Sequence, residues 1–217
     1  MSTECFGLFA KYWQPGQVKT RLAASLGAEQ AAEIYRQFVL TMLRRFSACC
    51  DCKLLVYAPP ERGQEFKQST PDGWQLEPQA DGDLGRRMQQ FFARRLEAGC
   101  QRVVLLGSDS PNVPLEYVEQ AFQRLRQCDV VLGPTDDGGY WLIGVSSDVP
   151  ALFSDIPWST PQVWPATINA LQAAGVGYET LPAWYDVDRA EDLKRLIADL
   201  RADAGRDQPL DGLLQTL

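Results

Sequence analysis

The carboxylate of Asp109 stands directly after a segment with the pattern of a buried strand. Residues 103–106 are all apolar, and Gly107 ends the run two positions before Asp109. A short apolar run bounded by turn residues predicts a strand covered on both faces, and ligands of open α/β sheets bind beyond the carboxyl ends of the strands. Pro111 and Pro114 restrict the loop that follows. Asp109 is therefore a candidate ligand for a metal ion or substrate, with a turn or helix-capping role as the alternative.

A basic loop follows the first predicted strand. Lys11, Lys19 and Arg21 supply three positive charges, and a helix is predicted to begin near Thr20. Gly16 allows the backbone to approach a ligand closely, and cationic side chains together with helix amides can hold phosphate. The loop matches neither the Walker A pattern nor the G-x-G-x-x-G pattern. It predicts a phosphate pocket, with a solvated basic turn as the alternative.

A third motif places Asp137 before two glycines, Gly138 and Gly139. The motif lies between one predicted strand that ends at Leu132 and another that begins at Tyr140. Asp-Gly is common in short hairpin turns. A plain hairpin turn therefore explains the motif, which on its own favours no particular ligand.

The fourth motif contains Asp186 and Asp188. Alternation along an extended segment directs both side chains to the same side, where two carboxylates could bind one ligand. A helix is predicted from Arg189, with Glu191 in its first turn. The alternative is that Asp188 caps this helix and Glu191 interacts with its dipole.

Composition and charge restrict the class of protein. The chain has 217 residues, of which 45% are hydrophobic and 23% are charged, as in an ordinary globular domain. A net charge of −7 argues against a nucleic-acid partner, since phosphate backbones are bound by clustered cations. The first residues do not have the pattern of a signal peptide, and no apolar run approaches a membrane span. We expect a cytoplasmic protein with no membrane partner; the sequence does not indicate an oligomeric state.

The cysteines and the absence of histidine limit the possible chemistry. Of the six cysteines, only Cys49, Cys50 and Cys52 are close in sequence; the others are Cys5, Cys100 and Cys128. A structural zinc site needs four ligands, so free thiols in a reducing compartment are the prediction. The sequence has no histidine, which excludes Ser-His-Asp and Cys-His mechanisms. Catalysis must use carboxylates, Lys or Arg, or a metal ion bound by oxygen.

Alternating strand and helix patterns position these motifs. The strand patterns cover residues 4–10, 53–58, 73–77, 103–106, 129–132, 140–145 and 178–181. The helical patterns cover residues 28–46, 85–98, 115–127, 161–174 and 189–202. Strands separated by helices of this length predict βαβ units and a mainly parallel sheet. We expect a single domain over residues 1–203 and a tail at 204–217 without fixed structure.

The order of the motifs resembles the GT-A-like nucleotide-diphospho-sugar transferase superfamily over residues 4–200. The matching segments are Pro15-Gly16-x-x-Lys19-Thr20-Arg21-Leu22, Gly82-Asp83-Leu84-Gly85-x-Arg87-Met88, Gly107-Ser108-Asp109-Ser110-Pro111, Asp137-Gly138-Gly139-Tyr140 and Asp186-x-Asp188-x-x-Glu191-Asp192-Leu193. The sequence is most similar to the bacterial transferases associated with radical-SAM and selenium-domain gene clusters. It also resembles the guanylyltransferases of deazaflavin-cofactor synthesis and, more distantly, those of molybdenum-cofactor synthesis. The resemblance implies a three-layer α/β/α fold with a mostly parallel, Rossmann-like sheet.

The resemblance also implies roles for individual residues. Asp109 would bind the metal ion, and Asp188, with Asp186, would supply the second metal contact. Carboxylate ligands without His or thiolate suit Mg²⁺ or Mn²⁺. The implied nucleotide-binding residues are Lys11, Gly16, Lys19, Arg21, Asp83 and Arg87, and the implied acceptor-binding residues are Asp137, Gly138 and Gly139. The catalytic candidates are Asp109, Lys19, which would stabilise phosphate charge, and Asp137, which would be the general base.

Three hypotheses of function follow from the sequence. The first is a glycosyltransferase that uses a nucleotide-sugar donor, with a small-molecule acceptor activated by a carboxylate. The second is a nucleotidyltransferase, in which an acceptor phosphate attacks the α-phosphorus of a nucleoside triphosphate and pyrophosphate leaves; this route needs no general base. The third is a nucleotide-binding protein without catalysis, which would not need three spaced carboxylates. The first hypothesis is preferred and the second is its main alternative.

Overall fold

The computed structural model describes residues 3–203, 205 and 207–217. Within these residues, seven strands form one sheet in the order β3-β2-β1-β4-β6-β5-β7. The strands are β1 (Glu4–Lys11), β2 (Cys52–Ala58), β3 (Gln75–Pro78), β4 (Arg102–Gly107), β5 (Val130–Pro134), β6 (Tyr140–Val145) and β7 (Tyr178–Thr180). Among these seven strands, only β6 runs antiparallel to its neighbours β4 and β5. The predicted mainly parallel sheet is thus confirmed.

Helices cover both faces of the sheet. They are α1 (Thr20–Leu26), α2 (Ala28–Arg45), α3 (Gly63–Ser69), α4 (Leu84–Glu97), α5 (Leu115–Arg124), α6 (Val163–Ala173), α7 (Ala190–Ala202) and α8 (Gln208–Thr216). One apolar core joins α1, α2, α3, α5, α7 and α8 to the sheet, and the other joins α4 and α6 to the opposite face. The predicted three-layer α/β/α arrangement is what the structure shows.

The central strand β1 explains why the sheet needs two covering layers. Phe6 and Leu8 belong to the core on the α2 side, whereas Cys5 and Phe9 belong to the core on the α4 side. This alternation is the two-residue period of a strand. Because both sets are apolar and buried, the strand is stable only between two helical layers.

The structure contains the predicted elements with small changes at their ends. Each predicted strand and helix is present, and its limits differ from the prediction by at most three residues. The sequence analysis missed α3, a helix of only seven residues that contains one buried apolar side chain, Phe66. None of the helices in the described ranges is long and apolar enough to span a membrane.

The carboxyl-terminal segment corrects the expectation of a tail without fixed structure. Residues 204 and 206 lie outside the described residues, as do residues 1 and 2, but residues 208–216 form α8. The helix packs on α2 and α7 and buries Leu213. Asp207 accepts a hydrogen bond from the Leu210 amide at the start of α8 and pairs with Arg45 Nε at 2.7 Å. The apolar face of α8 was too short to be recognised without its partner helices.

Arg45 extends this contact to the loop that follows Asp109. Its Nη1 donates to the carbonyl oxygens of Pro111 at 2.7 Å and Val113 at 2.9 Å. Burial lowers the pKa of Arg45, although Asp207 opposes the shift. Helix α8 therefore helps to hold the loop between β4 and α5 through one largely buried guanidinium group.

We expect Leu213→Ala to lower the free energy of unfolding by about 2–4 kcal/mol, the usual cost of truncating a buried leucine. Gln215→Ala is the matched control, because Gln215 lies on the exposed side of the same helix. Urea denaturation of both variants measures the difference. Equal stability of the two variants would mean that α8 does not belong to the folded core.

Candidate functional site

The loop after β4 lies at the carboxyl edge of the sheet, as predicted. Asp109 follows the end of β4 by two residues, and its carbonyl oxygen accepts a hydrogen bond from the Val187 amide at 2.9 Å. This bond joins the β4 loop to the segment that contains Asp186 and Asp188. Helix α5 begins at Leu115 without a side-chain cap, so Asp109 does not have the alternative role of capping that helix.

A cavity of about 630 Å³ opens at this edge. Seven of the predicted site residues line it: Lys11, Lys19, Asp83, Arg87, Asp109, Asp186 and Asp188. They come from β1, the loop before α1, the start of α4, the loop after β4 and the segment before α7. Positions far apart in the sequence therefore converge on one polar cavity large enough for a small ligand.

Lys19 lies at the centre of the charged groups. It has a left-handed backbone conformation (φ 47°) immediately before α1, and its side chain is only 3% exposed. The ammonium pairs with Asp109 Oδ1 and with Asp188 Oδ1, the latter at 2.9 Å. Burial alone would lower the pKa of Lys19, but the two carboxylates outweigh burial and raise it. Lys19 is therefore a charged bridge between the two predicted metal ligands.

Asp188 is held as a carboxylate by two cations. Besides Lys19, Arg21 Nη1 lies 3.3 Å from Asp188 Oδ2. Partial burial opposes ionisation, but Lys19 and Arg21 outweigh it and lower the pKa of Asp188. Helix α7 is instead capped by Asp192, whose Oδ2 accepts from the amides of Asp188 at 3.0 Å and Arg189 at 2.8 Å. The alternative role of Asp188 as a helix cap is thus wrong, and its side chain belongs to the cavity.

Asp186 is the third of the predicted metal ligands that line the cavity. Ser110 donates its hydroxyl to Asp186 Oδ1 at 2.7 Å. Burial, reinforced by the negative charge of Asp109, raises the pKa of Asp186 to about 7. The ionised form is therefore disfavoured by the surrounding protein, and a nearby cation would favour it.

These donors fit a hard divalent cation that keeps several water or phosphate ligands. Asp109, Asp186 and Asp188 offer carboxylate oxygens, which Mg²⁺ and Mn²⁺ prefer. Within the described residues, the three carboxylates do not form a compact group with all ligand atoms within 4.8 Å of one another. Lys19 also occupies Oδ1 of both Asp109 and Asp188. If a metal ion binds here, these residues would provide only part of its coordination shell, as is common for Mg²⁺ bound together with phosphates.

Asp83 and Arg87 form the wall contributed by α4. Asp83 caps this helix by accepting from the Arg86 amide at 2.8 Å. Arg87 donates to the Gly82 carbonyl at 2.8 Å and to Gln79 Oε1 at 3.2 Å. Both side chains thus have structural partners in addition to their position at the cavity.

Five predicted residues do not line the cavity, namely Gly16, Arg21, Asp137, Gly138 and Gly139. Arg21 reaches it only through its ion pair with Asp188. Gly16 is in an exposed turn with φ 77° and is not part of the cavity wall. Asp137, Gly138 and Gly139 form the turn between β5 and β6, also outside the lining. Asp137 Oδ1 accepts from Thr135 Oγ1 at 2.6 Å and from the Gly139 amide at 3.3 Å. The hairpin turn considered from the sequence is therefore present, and Asp137 has a local partner.

The structure also reveals positioning residues that the sequence analysis did not select. Tyr35, from α2, has its hydroxyl 2.6 Å from Ser108 Oγ and 3.0 Å from the Lys11 amide nitrogen, which donates to it. Burial raises the pKa of Tyr35 to about 12. This hydroxyl joins the ends of β1 and β4, and Ser110 holds Asp186. The signal in the sequence was the pair of serines that flank Asp109, whereas nothing in the helical pattern over residues 28–46 distinguishes Tyr35.

Comparison with known proteins identifies relatives of the chain. Residues 42–160 match the family model described as "uncharacterized protein conserved in bacteria (DUF2064)". A crystal structure of a protein from Desulfovibrio desulfuricans G20, provisionally described as a nucleotide-diphospho-sugar transferase, is 33% identical, with a TM-score of 0.88 over 99% of this chain and 98% of that chain. The search of curated proteins found no significant match.

Two more distant structures share the fold. A cytidylyltransferase from Leptospira borgpetersenii serovar Hardjo-bovis (strain JB197) has a TM-score of 0.61 at 14% identity, over 99% of this chain and 93% of that chain. Rv0371c from Mycobacterium tuberculosis H37Rv, in complex with manganese, has a TM-score of 0.51 at 14% identity, over 90% and 97% of the two chains. Together with the D. desulfuricans structure, they confirm the predicted fold class.

Proposed function

This chain belongs to the DUF2064 family of bacterial proteins, and we propose that it is a transferase that uses a nucleotide-activated donor and Mg²⁺ or Mn²⁺. The observation that carries the proposal is the bridge formed by Lys19 between Asp109 and Asp188 at the wall of the cavity. A purely structural ion pair has no need of a third carboxylate, Asp186, beside it in a cavity of this size. The name of the D. desulfuricans relative supports a nucleotide-diphospho-sugar as donor.

The donor's phosphates would face the positive side of the cavity. Lys11 and Arg87 line this cavity, and Arg21 lies at its edge on Asp188. The group leaving the donor gains negative charge during transfer, and fixed cations stabilise that charge. Asp109 and Asp188, with Asp186 beside them, would hold the metal ion, which would supply further positive charge next to the donor's phosphates. The manganese in the distant Rv0371c structure is compatible with this assignment.

Glycosyl transfer is the preferred reaction. An acceptor hydroxyl attacks the anomeric carbon of the donor sugar, the bond to the phosphate oxygen breaks, and a nucleoside diphosphate leaves. Asp137 remains the proposed base for the acceptor's proton, with Gly138 and Gly139 beside the acceptor. Because these residues lie outside the cavity lining, this role requires the acceptor to approach from the side of the β5–β6 turn.

Nucleotidyl transfer is the second candidate, and the position of Asp137 favours it. A phosphorylated acceptor is already ionised, so this reaction needs no general base. It is therefore consistent with a cavity whose wall does not include Asp137. Pyrophosphate would then be the leaving group. The third possibility, nucleotide binding without catalysis, predicts that neither nucleoside diphosphate nor pyrophosphate is released.

Identification of the leaving group distinguishes these reactions. We expect incubation with Mg²⁺, a panel of nucleotide sugars and nucleoside triphosphates, and a mixture of small-molecule acceptors to yield free nucleoside diphosphate, detected by mass spectrometry. Pyrophosphate release would instead support nucleotidyl transfer. If the protein binds nucleotide but releases neither nucleoside diphosphate nor pyrophosphate, that result would contradict the assignment as an enzyme. Asp109→Asn is the control for contaminating activity.

We expect Arg21→Ala to weaken nucleotide binding by about 1.5–3 kcal/mol, the range for hydrogen bonds to charged groups. The stability of the fold should change by less than about 1 kcal/mol, since the Arg21 side chain is 62% exposed and exposed ion pairs contribute little. Arg36→Ala is the matched control, because Arg36 pairs with Glu33 on α2 and does not line the cavity. Calorimetric titration measures the affinities, and equal affinity of the two variants would place the phosphates elsewhere.

A further inference from the structure

Three cysteines from distant parts of the sequence meet at the edge of the sheet opposite Asp109. Cys5 is near the start of β1, Cys52 begins β2, and Cys100 lies between α4 and β4. These strands are parallel neighbours in the order β2-β1-β4, so their amino-terminal ends lie side by side. The cluster is therefore separate from the candidate nucleotide site, which lies at the carboxyl-terminal ends.

The geometry of the three thiols suits a shared cation. Their Sγ atoms all lie within 4.8 Å of one another, and those of Cys5 and Cys52 are 3.4 Å apart. Three thiolates bound at about 2.3 Å to one zinc ion would have sulfur atoms separated by about 4 Å. The observed arrangement thus requires only small shifts to become a coordination site. Cys5 is buried, whereas Cys52 and Cys100 are partly exposed, which leaves an open side for a water ligand.

One cation, Arg95, acts electrostatically on Cys100, and its Nη2 also pairs with Glu77 Oε2 at 2.8 Å. Arg95, in the last turn of α4, is largely buried, and its Nε has no hydrogen-bond partner among the described residues. Burial raises the pKa of the Cys100 thiol, and the positive charge of Arg95 opposes this shift. Burial also raises the pKa of Cys5. Binding of a metal ion would release thiol protons to solvent.

We propose that Cys5, Cys52 and Cys100 form a zinc-binding site that clamps the amino-terminal ends of β1, β2 and β4. Three thiolates leave the fourth position of a tetrahedral Zn²⁺ centre open for water, a Cys₃ arrangement that differs from a closed structural site with four protein ligands. No histidine is available to complete a mixed site, and water takes the fourth position. Because only the folded chain brings these three thiols together, bound zinc would stabilise the fold.

Cadmium provides a direct test, because its bonds to thiolates give a charge-transfer absorption in the ultraviolet that carboxylate ligands do not give. We expect the reduced full-length protein to bind one equivalent of Cd²⁺ with this absorption, and Zn²⁺ to displace it. The absorption should be lost in Cys100→Ser and in Cys52→Ser. It should be retained in the control variant Cys49→Ser/Cys50→Ser/Cys128→Ser, whose thiols lie outside the cluster.

Thermal unfolding adds an independent readout. Zn²⁺ should raise the melting temperature of the wild type and of the control variant, but not that of Cys100→Ser, since a ligand stabilises only a fold that binds it. Cys100 is partly exposed, so its replacement should not prevent folding. Absence of the absorption in the reduced wild type, its persistence in Cys100→Ser or its loss in the control variant would each overturn the proposal.

Discussion

Asp109→Asn is expected to reduce Mg²⁺-dependent nucleotide binding by about 30- to 140-fold, or about 2–3 kcal/mol. The neutral amide loses the negative charge that attracts a divalent cation but keeps an oxygen that can accept from Lys19. The Asp109 side chain is 43% exposed, so the fold should tolerate the change, with a melting temperature within a few degrees of the wild type. Calorimetric titration with Mg²⁺ and each ribonucleoside diphosphate measures the effect.

Asp137→Asn is the matched control for this experiment. It makes the same chemical change at another predicted catalytic residue, which the structure places outside the cavity lining. Nucleotide affinity should be unchanged in this variant, whichever role Asp137 has towards the acceptor. A wild-type affinity and Mg²⁺ dependence in Asp109→Asn would contradict the assignment of Asp109 as a metal ligand.

Two aspartates four residues apart should respond to serine in opposite ways. Asp188→Ser removes the carboxylate that pairs with Lys19 and Arg21, so Mg²⁺-dependent nucleotide affinity should fall by about 2–3 kcal/mol. Asp192→Ser shortens the side chain that caps α7, so stability should fall by up to about 1 kcal/mol while affinity is retained. Urea denaturation and calorimetric titration of both variants separate the two roles.

The outcome that would contradict this assignment is specific. If Asp188→Ser bound nucleotide normally and lost stability, Asp188 would be a structural residue at the start of α7. The proposed site would then be reduced to Asp109 and the basic loop. Loss of nucleotide affinity in Asp192→Ser would indicate that the segment before α7 depends on its cap for its position.

The sheet and the rim of the site could be predicted because their signals are local. The apolar run at 103–106 and the glycine after it are enough to indicate a buried strand that ends before Asp109. Alternation through Asp186 and Asp188 placed both carboxylates on one side, and both line the cavity. Parallel strands bring their carboxyl ends to a common edge, which explains why separate motifs could be expected to meet.

The features that were missed depend on contacts between distant segments. The almost fully buried Lys19 has its ammonium over the Tyr35 and Phe38 rings of α2 and beside Asp188. Nothing in the sequence of the basic loop distinguishes it from the exposed Arg21. The register of β1 with β2 pairs Cys5 with Cys52, whereas sequence spacing grouped Cys52 with Cys49 and Cys50. Helix α8 likewise owes its position to Arg45 and to the surfaces of α2 and α7.

The most direct test of the central claim is the affinity of the wild-type protein for nucleotide with and without Mg²⁺. If Asp109, Asp186 and Asp188 hold a cation that contacts the donor's phosphates, removal of Mg²⁺ by a chelator should weaken binding of the best nucleoside diphosphate by at least about tenfold, or 1.4 kcal/mol. Calorimetric titration under the two conditions measures this ratio. Equal affinity with and without Mg²⁺ would contradict the account, because the carboxylates would then have no part in binding the donor.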